Sequence, residues 1–243
     1  TVIEAVNTPG IKVLVYTTSP SVTFAGEDEN GVDESIPYAT EFLCNYPKTK
    51  AQAEYEVLGA NCDALATVAL RPHLIWGPGD NHLVPRIITR ARAGKLKLVG
   101  SGDNKVDATY IDNAASAHLA AADELCNGKS CAGKAYFISN DEPIAMRNLL
   151  NQILAAASLP PITKSVPPGV AYGVGALMEG TYTLLGKSEE PMMTRFIARQ
   201  LSTTHWYNID AAKRDFGYEA KVPMEEGMKR LETWLSKDDG REK

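Results

Sequence analysis

The sequence lacks the features that mark most function classes. It has no run of lysines or arginines, and its formal charge of −5 with a pI near 5.5 leaves no electrostatic footprint for nucleic acid. Its four cysteines, Cys44, Cys62, Cys126 and Cys131, are scattered, and no histidine lies near Cys126 and Cys131 to complete a zinc set. That pattern argues against a disulfide framework or a metal site and for thiols kept reduced in the cytoplasm. No secretory signal is visible. The most membrane-like window, Val166 to Gly186, is interrupted by Pro167, Pro168, several glycines and Glu179. It falls short of the roughly 20 clean apolar residues a span needs, so a helix with one apolar face is expected there, not a membrane span. Internal repeats and low-complexity tracts are also missing.

What is present suits a large α/β domain or two coupled lobes: 243 residues, 44% of them hydrophobic. The chain opens without methionine in a helical pattern, with Val2, Ile3 and Val6 on one face and Pro9-Gly10 as a stop. A natural domain rarely begins inside a helix, so the sequence is expected to be the C-terminal part of a longer protein. Ile11 to Thr18 reads as a near-continuous apolar strand of the kind buried in parallel sheets. A polar loop (Gly26 to Tyr38), a helix from Tyr46 to about Leu58, and a second strand (Leu65 to Asp80, closed by Gly77-Pro78-Gly79) follow. Strand, helix and strand in this order suggest a right-handed βαβ crossover.

Past Asp80 the texture changes. "HLVPRIITRARAGKL" is a basic amphipathic helix, "VDATYID" a short strand, and Asp112 is placed to cap the helix "NAASAHLAAADEL". "KAYFISN" is another strand, and the helix after Glu142 is stopped by Pro160-Pro161. The C-terminal third reads as helices and loops.

Within "LCNYPKTKAQAE", Tyr46 and Lys50 stand four apart, on one helix face. A free phenol releases its proton near pH 10, and an ammonium one turn away favours the phenolate. Such a tyrosine can exchange protons in a carbonyl–alcohol conversion. Taken alone the spacing is common, and a ring packed on a lysine stem explains it equally well. The preceding strand ends in Thr17, Thr18 and Ser19, and ligands of open parallel sheets bind outside the carboxyl ends of the strands. Those hydroxyls also have a plainer use in satisfying loop backbone.

Strand "VLVYTTS", then Tyr46-Pro47-Lys48-Thr49-Lys50, then "LRPHLIWGPGD" resembles the extended short-chain dehydrogenase/reductase family, including its epimerase and 3β-hydroxysteroid dehydrogenase branches. "YIDNAASAH", "KAYFISNDEP" and "AKRDFGYEAKVPMEEGM" extend the resemblance over essentially the whole chain. It implies an α/β fold: the C-terminal part of a Rossmann-type doubly wound parallel sheet plus a smaller, mostly helical substrate-binding lobe. Residues 1–77 would be the remaining half of the dinucleotide-binding domain and 78–243 the substrate lobe, with 113–141 returning to the sheet. It implies Tyr46 as proton donor or acceptor and Ser19 as the group polarising the carbonyl. Lys50 would bind the nicotinamide ribose and tune Tyr46, and Pro72, His73, Leu74 and Ile75 would lie along the cofactor. The family's glycine-rich first βαβ unit does not occur here, so about 100 residues are expected upstream of Thr1. The residue that separates NAD from NADP would lie among them.

"SPSVTF", "ARAGKLKLVG" and "MTRFIARQLSTTHWYNIDAAKRDFGY" are similar to the branch that reduces 2-alkyl-3-oxoalkanoates in bacterial long-chain olefin biosynthesis. The resemblance implies NADPH as cofactor, with NAD as the alternative, and a lipid-like β-keto acid as substrate. The product would be a 2-alkyl-3-hydroxyalkanoate for a β-lactone synthetase. That synthetase, other enzymes of the pathway and a second copy of the chain are the implied partners. Three rivals remain: a 3β-hydroxysteroid or sterol dehydrogenase using NAD, a sugar-nucleotide epimerase, and a non-catalytic module exposing an apolar strand edge. For substrate contacts, Asn81, His82 and Arg86 begin the second lobe, with a solvated basic face as the plainer alternative. Met178, Met192 and Met193 with the Tyr172 to Leu185 helix are candidates for an alkyl-chain site. Core packing or a surface contact explains them at least as well. His205 and Trp206 are pocket candidates whose default is burial with a hydrogen bond.

Overall fold

A computed structural model describes residues 10–187, 189 and 191–238. The helix read at residues 1–9 lies outside them. The centre is a three-stranded parallel sheet in the order β1 (Val13–Thr17), β3 (Ala66–Pro72), β8 (Lys134–Ile138). Its register pairs Val13 with Ala66 and Pro72 with Ile138. All of β3 is buried, as its run of small and branched apolar residues requires, whereas β1 at the sheet edge is half-buried.

Helix α1 (Asn45–Gly59) connects β1 to β3. Pro47 sits in its first turn, where a missing N–H costs nothing. Alternate residues of β3 face opposite ways. Ala66, Val68 and Leu70 pack with Ala117, Ala121 and Leu125 of α3 (Ile111–Asn127). Arg71 points to the other side, where its Nε lies 3.1 Å from a carboxylate oxygen of Glu54 on α1. Both residues are buried, and the Tyr38 hydroxyl donates to the same carboxylate at 2.8 Å. This ion pair pins α1 to the sheet.

The expected strand from Leu65 to Asp80 is two. Strand β3 stops at Pro72, Leu74 takes φ 41°, and β4 (Ile75–Trp76) leaves the sheet to pair with β7 (Thr109–Tyr110). The Thr109 hydroxyl holds the bend by donating to His73 O (2.7 Å) and Ile138 O (3.1 Å). "VDATYID" likewise divides, into β6 (Lys105–Val106) and β7, which join different sheets. Asp112 does not cap α3: Tyr110 holds the cap position, and Asp112 lies in the first turn, 3.2 Å from Arg230. The loop from Gly26 to Tyr38 contains β2 (Glu29–Val32), which pairs in parallel with the distant β11 (His205–Tyr207).

A second apolar core is built mostly from residues beyond Gly77. Trp76, Ile87, Leu98, Tyr110, Leu149, Ile153 and Leu231 belong to it. It gathers α2 (Leu83–Arg92), β5 (Leu98–Val99), α4 (Met146–Ala156) and α8 (Met224–Asp238). Strand β9 (Ile144–Ala145) pairs with β6, and β10 (Ser165–Val166) pairs with β5. Helices α5 (Pro168–Leu184) and α6 (Arg195–Ser202) pack on each other, and α7 (Asp210–Phe216) packs on β8. No disulfide joins the cysteines. No helix among the described residues is long and apolar enough to cross a membrane, and none of their His, Cys, Asp and Glu clusters fits a metal ion.

Candidate active site

A cavity of about 750 Å³ opens at the carboxyl ends of β1 and β3, between the two cores. That volume lies in the range of small-molecule sites. Ser19, Tyr46, Lys50, Pro72, His73, Leu74 and Ile75 all line it. Asn81 and His82 line it as well, whereas Arg86 does not stand among its lining residues. Tyr172, Met178, Met192, Met193, His205 and Trp206 also fall outside that lining.

Ser19 caps the short 3-10 turn Pro20–Val22 that follows β1. Its Oγ accepts from the Ser21 amide (3.2 Å) and from the Ser21 hydroxyl (2.9 Å). With both lone pairs engaged, the Ser19 proton is the one left to donate outward. Ser21 lines the cavity too. Tyr46 is half exposed at the mouth. Lys50, one turn on, donates from Nζ to the Thr17 carbonyl at 3.2 Å and lies 5.4 Å from the Tyr16 ring centre.

The floor is the bend after β3. His73 uses both main-chain groups internally: its N–H donates to Ile138 O, and its carbonyl accepts from Thr109. It therefore offers a surface, with Leu74 held in a strained left-handed conformation beside it. Gly77 continues the wall at φ 150°, and a Cβ there would lie 2.6 Å from Ile111 Cγ2. Asp80 fixes the entry to α2, accepting from the amides of His82 (2.7 Å) and Val84 (2.8 Å).

Behind the floor is a buried polar layer. The His73 ring meets His205 edge-on at 5.0 Å and Tyr207 at 5.5 Å. Burial, and then His205, push the His73 pKa well down, and burial lowers His205. Burial raises Asp107 to about 7 and also raises Glu29. Glu29 accepts from Thr23 and Tyr207, each at 2.8 Å. Burial pushes the Tyr207 phenol well up, with Glu29 adding to it.

Three buried polar atoms of cavity-lining residues have no hydrogen-bond partner: Thr18 Oγ1, His73 Nδ1 and Trp76 Nε1. A cavity with unmet polar atoms, an ammonium and an aromatic hydroxyl at its mouth, and a smooth main-chain floor fits a polar, partly aromatic ligand such as a nicotinamide ribose. The far wall, Phe196 and Gln200 of α6, was not foreseen. It stands some 150 positions from Tyr46, and only the one-sided apolar pattern of α6 marks it in the sequence.

A sequence profile of the 3-beta hydroxysteroid dehydrogenase/isomerase family matches residues 1–164. The 2-alkyl-3-oxoalkanoate reductase of Shewanella oneidensis is 59% identical over 242 residues, which are 96% of this chain and 62% of that protein. The decarboxylating sterol-4-alpha-carboxylate 3-dehydrogenase of Mus musculus is 36% identical over 95% of this chain and 65% of its own length. The chain thus spans under two thirds of both relatives. Among solved structures, dTDP-glucose 4,6-dehydratase from Bacillus anthracis in complex with NAD matches with a TM-score of 0.68. That likeness covers 98% of this chain and 66% of the other at 20% identity, and it shows a shared fold of the Rossmann type.

Proposed function

This chain belongs to the 3-beta hydroxysteroid dehydrogenase/isomerase family, and on that premise we propose that the whole protein is an NADPH-dependent oxidoreductase reducing the 3-keto group of a 2-alkyl-3-oxoalkanoate. The observation that carries the reading is the meeting of Ser19, Tyr46 and Lys50 in one cavity floored by Pro72 to Ile75. The 59% identity to a reductase of that name supports the substrate class.

When bound, the nicotinamide supplies a hydride to the 3-keto carbon. Ser19 donates its outward proton to the carbonyl oxygen and polarises it. Tyr46 gives its phenolic proton to the same oxygen as negative charge develops there, leaving a secondary alcohol. Lys50 steadies the phenolate and holds the ribose, while Pro72, His73, Leu74 and Ile75 form the surface the cofactor lies along. Residues 1–77 with 113–141 serve the cofactor, and the rest of 78–243 serves the substrate. The 2-alkyl-3-hydroxyalkanoate suits a β-lactone synthetase in olefin biosynthesis. That enzyme and a second copy of this chain are the proposed partners, in the cytoplasm.

The test is Tyr46→Phe in the full-length protein. Turnover of a branched β-keto acid, followed by NADPH absorbance, should fall ~10²–10⁴-fold, with NADPH affinity little changed. A Tyr46→Phe enzyme as active as the parent would sink the assignment. The family profile and the mouse relative favour one other reading, a sterol dehydrogenase, with NAD as the alternative cofactor of that reading. Comparing kcat/KM for a 3β-hydroxysterol with NAD against a 2-alkyl-3-oxoalkanoate with NADPH decides between them.

A further inference from the structure

The cavity holds a second set of polar side chains that the hydride and proton steps leave idle. Beside the sheet, Ser19 is engaged by Ser21, and Lys50 donates to the Thr17 carbonyl. Asn81, His82 and Gln200 line the same cavity from elements outside the central sheet. Among the described residues, no hydrogen bond or ion pair occupies the side chains of these three; only main-chain atoms of His82 and Gln200 are engaged. Their backbones are fixed. Asp80 accepts from the amides of His82, Leu83 and Val84 at 2.7, 3.2 and 2.8 Å, which locks the turn into α2. The Gln200 carbonyl accepts from His205 Nε2 at 2.5 Å, and Phe196, one turn earlier on α6, is buried against Phe24. Free donors on a fixed frame bind a ligand with little ordering cost.

The charges in the lining point to the kind of ligand group. Asp80 is the only acid among the described lining residues. Three amides and the positive end of α2 answer its charge. His73 is held neutral by burial. Lys50 is committed to Thr17 and stands one turn from Tyr46. His82 is then the one remaining lining side chain that can carry a positive charge, and it is exposed to the cavity beside the Asn81 amide.

We propose that Asn81, His82 and Gln200 form a carboxylate subsite that receives the acid group of the 2-alkyl-3-oxoalkanoate. This rests on the reductase reading above and adds a specificity determinant to it. The chemistry gives the subsite a purpose. A β-keto acid whose carbonyl is polarised by Ser19 and Tyr46 has two ways forward. In reduction, hydride adds to the keto carbon and the carboxylate keeps its charge. In the competing loss of carbon dioxide, the electron pair of the bond between the carboxyl carbon and C2 moves into the bond between C2 and C3. The keto oxygen then takes the Tyr46 proton, an enol forms and neutral carbon dioxide leaves. Hydrogen bonds from His82, Asn81 and Gln200 to the carboxylate persist in the first transition state and weaken in the second, so they slow only the loss.

The test compares a 2-alkyl-3-oxoalkanoate with its methyl ester as substrates of the full-length protein with NADPH. The parent should prefer the acid in kcat/KM. His82→Ala should cut that preference about 10–100-fold and raise the yield of ketone relative to hydroxy acid. Gln200→Leu should shift both in the same direction. His82→Arg, which restores a cation, should recover most of the preference, and melting temperature and NADPH affinity should match the parent in all three. A parent that reduces acid and ester equally well overturns the proposal and leaves the reductase reading standing. So does a His82→Ala protein that keeps the parent's preference and product ratio. A parent that reduces neither compound overturns the reductase reading and the proposal with it.

Discussion

The Lys50 ammonium donates to the main-chain carbonyl of Thr17, 3.2 Å away, so α1 is tied to the last residue of β1. The same threonine is held from α3. His118 Nδ1 lies 2.7 Å from Ala114 O, an atom that only accepts, so Nδ1 carries the proton. His118 Nε2 then accepts from the Thr17 hydroxyl at 2.7 Å. Two helices thereby fix the strand end from which Ser19 hangs.

Replacing Lys50 by methionine removes both the charge beside Tyr46 and the tether to Thr17. In the full-length protein, kcat should fall by roughly 10²-fold and the KM for the cofactor should rise, with thermal stability nearly unchanged. Arginine should not restore activity, because its planar fork cannot take the place of a compact ammonium. Steady-state kinetics on the three proteins check this.

On the proposed mechanism Ser21 is a positioning residue for Ser19, since its hydroxyl donates to Ser19 Oγ. Ser19→Ala should lower kcat by ~10²-fold or more. Ser21→Ala keeps the acting hydroxyl but frees its orientation, so kcat should fall by about tenfold with the substrate KM little altered. Ser21→Thr should recover most of the loss, whereas a purely structural serine would show a drop in melting temperature instead.

Glu54 balances the buried Arg71 charge and also accepts from Tyr38. Glu54→Ala strands the guanidinium between the Phe137 ring and α1 and should destabilise by ~3–5 kcal/mol. Glu54→Gln keeps the shape and some of the hydrogen bonds and should cost less. Urea denaturation of the two variants against the parent measures the difference.

Burial holds the Asp107 carboxyl near 7, up from 3.8. Between those values the folded protein keeps a proton there that the unfolded chain has released, so this group's contribution falls as pH rises and is flat above about 7. His73 and His205 act in the opposite sense, since burial lowers both and stability is lost as pH drops below 6.5. Asp107→Asn isolates the carboxyl. The stability of the variant relative to the parent should climb by a few kcal/mol from about pH 4 to pH 7, and a flat difference would contradict the assignment.

Much of the sheet and the near wall was legible because both rest on short-range periodicity. Apolar runs gave β1, β3 and β8, and helix spacing set Tyr46 beside Lys50. The missed parts depend on distant partners. Strand β2, "ENGV", has no strand propensity of its own and exists because His205 to Tyr207 lies alongside it. The break at His73-Leu74 goes with Thr109, whose hydroxyl reaches the His73 carbonyl and, in the central sheet, that of Ile138. Asp112 has the residue type of a cap, but Tyr110 holds the cap position and Asp112 sits two residues past it. Phe196 and Gln200 reach the cavity through the packing of α6 on α5 and β5 and the contact of Phe196 with Phe24.

The cavity has walls of separate origin. Ser19, Tyr46 and Lys50 hang from the sheet core, while Phe196 and Gln200 hang from a helix that meets the near wall through the edge contact of Phe24 and Phe196, 6.0 Å between ring centres. Changes in α5 and α6 can reshape the far wall and leave every hydrogen bond of the near wall standing. A lineage built this way can inherit its reaction intact while its clientele drifts, and a designer can borrow the same seam.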